Sequence, residues 1–259
     1  MHINLTDAHC HANFSEFADC YGLVQGVDLC VDACFSGDWK GLNNFNAFEV
    51  KKAYGIHPDL RVSEFDNLEF VERGIFERFL PEIEEYLISA SAIGETGLDA
   101  NIAPRVPLDL QRKVFDAQLK LAEKFKLPVI IHCAGMWGEL LNTLRVWTLS
   151  DMVRTQRSKL SGDKGKTFLI HAARCSPEMV KEFEKIGGYF SFGQRELSMK
   201  KGLLCAESIS EDRIMIESDG MSCREKISDT IDMLAKIRNK YAMEMSEITY
   251  RNFNKFYSK

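Results

Sequence analysis

The chain has 259 residues and sets 33 Lys and Arg against 38 Asp and Glu, a formal net charge of −5. Hydrophobic residues make up 45% and charged residues 27%, and no apolar run approaches the roughly 20 residues of a membrane-spanning helix, so a soluble globular protein is expected. The acidic balance argues against extensive tracking of a phosphate backbone, which usually takes a basic excess.

The N-terminal stretch MHINLTDAHCH lacks the basic start, long apolar run and small-residue cleavage site of a secretory signal, and a cytoplasmic location is expected. Within NLTDAHCHANF, residues 4–14, Asp7, His9 and His11 occupy alternate positions. Residues two apart on an extended strand share a face, so this spacing lets two imidazoles converge on one cation.

Runs rich in β-branched and aromatic residues predict strands near 3–9, 27–33, 52–57, 91–96, 128–132, 167–171, 188–192 and 214–219. Helical spacing runs through 69–89, 107–125 and 176–187, with Pro107 or Pro177 near a helix start and Gly187 or Gly188 after a helix end. Strand and helix alternate without a break in composition, which implies a parallel sheet. Eight such units predict an α/β fold, a closed (β/α)8 TIM barrel, with an open doubly wound sheet as the alternative. No internal repeat or low-complexity linker interrupts the pattern, so one domain over 1–259 is the simplest organisation.

In barrels of this kind the active site gathers at the C-terminal ends of the strands. His9 and His11 close the first predicted strand, His57 ends AYGIHP, Glu95 lies in ASAIGETGLD, His132 ends PVIIHC, His171 ends TFLIHA, and Asp219 follows RIMIES. Five of the six histidines therefore occupy such positions, and only His2 does not. Any one of them has a plain explanation: a lone histidine is commonly a hydrogen-bonded surface or core residue, GETGLD fits a turn with Glu95 as a cap, and IESDG fits a strand end. Six donors at matching ends make a shared metal site the better account.

Other residues carry less. The basic run 154–166 precedes the sixth strand and falls on the face away from the predicted site, as a solvated loop would. Arg61, Arg105, Arg174, Arg195 and Arg224 follow strands and offer paired donors for phosphate, or plain surface ion pairs. Phe14, Trp137 and Phe192 suit either base stacking or core packing. The eight cysteines form no CxxC pair and are expected mostly as buried thiols, with Cys10 and Cys133 turned away from the metal face by strand alternation.

Taken in order, DAHCH, GIHP, AIGETGLD, LPVIIHC, IHAARCS and IMIESDG, with YRNFNKFY near the end, resemble the TatD family of metal-dependent deoxyribonucleases in the amidohydrolase superfamily. The resemblance implies a TIM barrel holding two divalent ions, Zn²⁺, Mn²⁺ or Mg²⁺. It implies His9 and His11 on the first metal with Asp219, Glu95 as the bridge, and His132 and His171 on the second metal. Asp219 would act as general base toward the attacking water, and His57 would stand by the substrate without being a ligand; Arg174 and Arg195 complete the expected substrate-binding set. The family's usual His-Ser-Arg after the fifth strand is HCA here, with Ala134 in place of the arginine.

The expected function is a metal-dependent hydrolase, a deoxyribonuclease or phosphodiesterase acting on single-stranded DNA or a nucleotide-containing end. Its partners are then DNA or a small phosphate or ester substrate, with no membrane and no stable protein partner. A second reading keeps the metals and changes the bond, to an amidohydrolase, lactonase or aminoacyl-tRNA deacylase. A third is a non-catalytic binding protein on the same barrel.

Overall fold

Eight short strands, every neighbouring pair parallel, follow one another in chain order through a single sheet. They are β1 (Leu5–Cys10), β2 (Val27–Ala33), β3 (Val50–Tyr54), β4 (Ala92–Asp99), β5 (Val129–Ala134), β6 (Phe168–Ile170), β7 (Gly188–Phe192) and β8 (Ile214–Ile216). The computed structural model describes residues 4–11, 26–45, 50–61, 63, 66–155 and 166–258. His2, Phe14, Cys20 and residues 156–165 of the basic run lie outside them.

Helices cover the outside: α1 (Ser36–Asn44), α2 (Leu68–Gly74), α3 (Leu80–Leu87), α4 (Leu108–Phe125), α5 (Trp137–Thr155), α6 (Pro177–Lys185), α7 (Gln194–Leu197), α8 (Lys200–Ser208), α9 (Arg224–Ile237) and α10 (Ala242–Tyr257). The helix predicted over 69–89 is a continuous run broken by a π-helical turn at Ile75–Phe79. Pro81 follows in the first turn of α3, where it supplies no N–H to the ladder. Helix α6 starts on the Ser176 hydroxyl, which accepts the Met179 N–H, and has Pro177 in its first turn.

The strand order and a join between β1 and β8 exclude the doubly wound alternative. At that seam Asp219 N donates to His9 O at 3.2 Å and His11 N donates to Gly220 O at 2.9 Å. Asp7 reinforces it by accepting the Ser218 N–H at 2.9 Å. It spends its carboxylate on the seam, and burial pushes that carboxyl up to about 6.

One inward residue from each strand builds the barrel floor: Ala8, Cys30, Ala53, Ala92, Ile130, Leu169, Tyr189 and Met215. The first four are small, and Phe253, Phe256 and Tyr257 of α10 pack with this layer. Tyr257 Oη donates to the Ala8 carbonyl at 2.6 Å, so the plug is held by a polar contact as well as by apolar burial. Outward-facing strand residues such as Val31, Ile93, Ile131 and Phe190 join the helices in a second, larger core.

The pairing register shifts between Asp7 and Cys10 on β1, and between Ile93 and Thr96 on β4. Each shift reverses the side-chain phase. Ala8 and Ala92 point into the floor, yet His9 and Glu95, an odd number of residues further on, also reach the interior. Cys10 and Cys133 belong to the outer core, turned from the site as strand alternation requires.

Candidate metal centre

Glu95 sits at the middle of the barrel mouth, buried, and its two oxygens look in different directions. Oε2 faces His9 Nε2 at 3.5 Å and His11 Nε2 at 3.4 Å, both from the end of β1. Oε1 faces His171 Nε2 at 2.7 Å, His132 Nδ1 at 2.9 Å and His57 Nε2 at 3.4 Å. Asp219 Oδ1, past the end of β8, lies 3.7 Å from His9 Nε2 and 3.9 Å from both His11 Nε2 and His171 Nδ1. The structure thus brings Asp219, His9, His11, His132 and His171 together from near the C-terminal ends of four strands with Glu95 from the middle of β4, and His57 stands beside them.

A second layer of carboxylates orients the rings. Asp32 Oδ2 is 2.7 Å from His9 Nδ1, which leaves His9 Nε2 buried with no hydrogen-bond partner. Asp99 Oδ2 is 3.1 Å from His132 Nε2, which turns His132 Nδ1 toward Glu95 and to 3.3 Å from His171 Nε2. Glu217 accepts the Ala172 N–H at 2.7 Å and the Ser191 hydroxyl, and stands 3.7 Å from His171 Nδ1. Asp32 and Asp99 in this way fix the tautomers of His9 and His132 so that the other ring nitrogen presents a lone pair, while His171 Nδ1 makes no hydrogen bond among the described residues.

Several electron-pair donors therefore face one another across a closed space, an arrangement that needs shared protons or a cation. The electrostatics agree. Burial opposes ionisation of Glu95, yet the charge of His171 and hydrogen bonds from His11 and His132 hold its carboxyl well below the usual range. Burial likewise opposes a charged His171, and Glu95 with Glu217 raises it well above the ordinary imidazole value. Asp219 is lowered against its burial by His171 and His9. The donor sets His9–His11–Asp219 and His9–Glu95–His171 have ligand atoms within 4.8 Å of one another, so the residues fit a divalent ion.

His57 is of a different kind. Its Nδ1 accepts the Asp59 N–H at 3.0 Å, so the neutral ring carries its proton on Nε2, facing Glu95. It is a hydrogen-bond donor at the mouth of a cavity of about 500 Å³ also lined by His11, Cys34, Phe35 and Arg61. The Arg61 guanidinium lies 3.7 Å from the Phe35 ring centroid and 3.3 Å from Asp38. Arg105 pairs with Asp59. Arg174 and Arg195 follow β6 and β7, outside this cavity's lining; Arg174 is 3.8 Å from Met199 Sδ.

The backbone is strained at two positions beside the donors. Ala172 has φ +44° and Asp219 φ +46°, the left-handed region that side chains with a Cβ seldom enter. These residues aim the chain back across the mouth just after β6 and β8.

A sequence model of the family described as TatD related DNase matches residues 6–258. The chain belongs to the TatD family. Human deoxyribonuclease TATDN3 is 24% identical over 283 residues, 99% of this chain and 96% of that protein. The 3′-5′ ssDNA/RNA exonuclease TatD of Rahnella sp. (strain Y9602) is 38% identical over 99 residues, 38% of this chain and 33% of that one. Among solved structures, YjjV, a TatD homolog from Escherichia coli K12, superposes with a TM-score of 0.76 at 20% identity, covering 99% of this chain and 98% of that one. That likeness carries the TIM-barrel fold of the TatD family. No helix among the described residues is long and apolar enough to cross a membrane.

Proposed function

We propose that the chain, acting as one domain over 1–259, is a metal-dependent hydrolase of phosphodiester bonds in single-stranded DNA or a nucleotide-containing end. One observation carries the reading: the two oxygens of Glu95 face two separate imidazole groups, His9 with His11 and His132 with His171. That division supports two divalent ions, which His9, His11 and Asp219 on one side and His132 and His171 on the other would hold together with Glu95. Four imidazoles suit Zn²⁺ or Mn²⁺, and availability also admits Mg²⁺. The names of the relatives, a deoxyribonuclease and a ssDNA/RNA exonuclease, support the choice of bond.

When bound, divalent ions lower the pKa of water from 15.7 to about 7 and polarise phosphoryl oxygens. Asp219 Oδ1, beside His9 and His11, is placed to orient the attacking water and take its proton. Asp32 and Asp99 hold the His9 and His132 imidazoles in the tautomers that would ligate. His57 Nε2–H, which faces Glu95 Oε1 at 3.4 Å, would turn to a phosphate oxygen entering the cavity, with Arg174 and Arg195, which follow β6 and β7, as the other proposed phosphate contacts. Partial burial of the mouth strengthens each of these interactions.

The test is release of product from end-labelled single-stranded DNA by metal-loaded protein over a series of divalent ions. Intact DNA alongside hydrolysis of another ester rules out the nuclease. Ala134, where the resemblance expects an arginine, favours a second reading, a carboxylic ester or amide as substrate. A panel of lactone, aminoacyl ester and amide substrates decides it, and inertness toward all of them retires it. Inertness toward every substrate leaves the binding protein.

A further inference from the structure

We propose that the Cys34 thiol is an additional ligand of this metal centre, on the His11 side of Glu95, and that it makes the site selective for a thiophilic cation such as Zn²⁺ over Mg²⁺. The inference rests on the metal-centre reading above and adds a residue that the family resemblance does not assign.

Cys34 is the first residue after β2. On that strand Cys30 points into the barrel floor and Asp32 reaches His9, so the alternation that places them carries Cys34 to the mouth. Its Sγ, a ring nitrogen of His11 and a carboxylate oxygen of Glu95 all lie within 4.8 Å of one another. Cys34 is 5% exposed and lines the cavity with Asp32, His57 and Glu95. The other buried cysteines described, Cys10, Cys30, Cys133, Cys175 and Cys205, all belong to packed apolar clusters, and Cys34 does not.

A second observation points to a cation on this side. His9 is fully buried, its Nδ1 is committed to Asp32, and its Nε2 has no partner while aimed at Glu95 Oε2. The ring of His11, the carboxylate of Glu95 and the sulfur of Cys34 form a mixed nitrogen, oxygen and sulfur donor set, and the His9 lone pair faces the same Glu95 oxygen as His11. Zn²⁺ accepts such a set, with Zn–S of about 2.3 Å and Zn–N of about 2.0 Å, whereas Mg²⁺ keeps oxygen ligands. On binding, the thiol gives its proton to solvent and the sulfur lone pair goes to the cation.

Metal-free protein titrated with Co²⁺ tests this. Visible d–d bands report that the centre is filled, and a near-ultraviolet sulfur-to-cobalt charge-transfer band reports a thiolate ligand. Both bands are expected in the unmodified protein, and in Cys34→Ala and Cys34→Ser the sulfur band disappears while the visible bands persist. Zn²⁺ affinity, measured by chelator competition, should fall about tenfold or more in either variant, with Mg²⁺ affinity changed by less than about twofold. Visible bands without a sulfur band in the unmodified protein, or a sulfur band that survives Cys34→Ala, overturn the Cys34 ligand and leave the centre standing. Absence of all bands in the unmodified protein removes the centre and Cys34 together. Because the first spectrum needs no variant, the result does not depend on how either substitution folds.

Discussion

The Asp32 carboxylate lies 2.7 Å from His9 Nδ1, with both side chains sealed from solvent. The contact makes His9 Nε2 the bare nitrogen and fixes its lone pair toward Glu95. Asp32→Asn keeps the shape and removes the charge, so divalent-metal affinity should fall about 10-fold to 100-fold. Competition against a chromophoric chelator measures this, and an unchanged affinity would show that Asp32 merely fills space.

Asp219→Asn isolates the proposed base. Asn tolerates the left-handed φ of +46° as well as Asp does, so the backbone should hold. Turnover should drop about 10²-fold to 10⁴-fold while the donors around Glu95 still retain metal. Single-turnover kinetics with metal analysis on the same sample separates the two effects. Full activity in the variant would move the base elsewhere.

The eight strands were legible because each is a short apolar run ended by a polar residue, and the site residues because they share those ends. Three predicted strands run too far: β3 stops at Tyr54, β6 at Ile170 and β8 at Ile216, where the chain turns to form the rim, whereas β4 runs on to Asp99, past its predicted end at 96. Helices α1, α5, α7, α8 and α9 were not foreseen, and in α5 the segment WGELLNTLRVW carries little polar and apolar segregation to read. Asp32 and Cys34 were missed although β2 carried the signal: an acidic residue on the inward phase of VDLCVDA has no reason to be there unless something inside needs it. The register shifts on β1 and β4 have no such mark, because they arise from pairing with neighbours and not from the local sequence.

Gly97 shows what the GETGLD segment demands of the backbone. Its φ is +146°, and a Cβ there would stand 2.0 Å from the His132 carbonyl oxygen, against its own ladder partner. Gly97→Ala must push β4 and β5 apart between Glu95 and His132. Chemical denaturation should show a loss of about 3 kcal/mol or more, accompanied by weakened metal binding. A variant of unchanged stability would mean that the two strands separate freely at this point.

The opposite substitution strategy applies at Lys126. This exposed residue ends α4 with φ +55° and donates its N–H to Ala122 O, the position where glycine is preferred. Lys126→Gly should stabilise the protein by about 0.5–1 kcal/mol, since the relief of left-handed strain exceeds the added chain entropy. The melting temperature should rise by about 2 °C. A fall would indicate that the lysine stem contributes packing.

Between β1 and β8 the wall is joined by two backbone hydrogen bonds, from Asp219 to His9 and from His11 to Gly220. The segments on either side of that join also carry His9, His11 and Asp219. A cation gripped by all three would be a clasp on the cylinder, so that occupancy and mechanical closure become one event. At a hundredfold excess over Kd, occupancy contributes about 2.7 kcal/mol of protection. Amide hydrogen exchange should report it first at His11 and Asp219, with the strands on the far side of the cylinder slowed less.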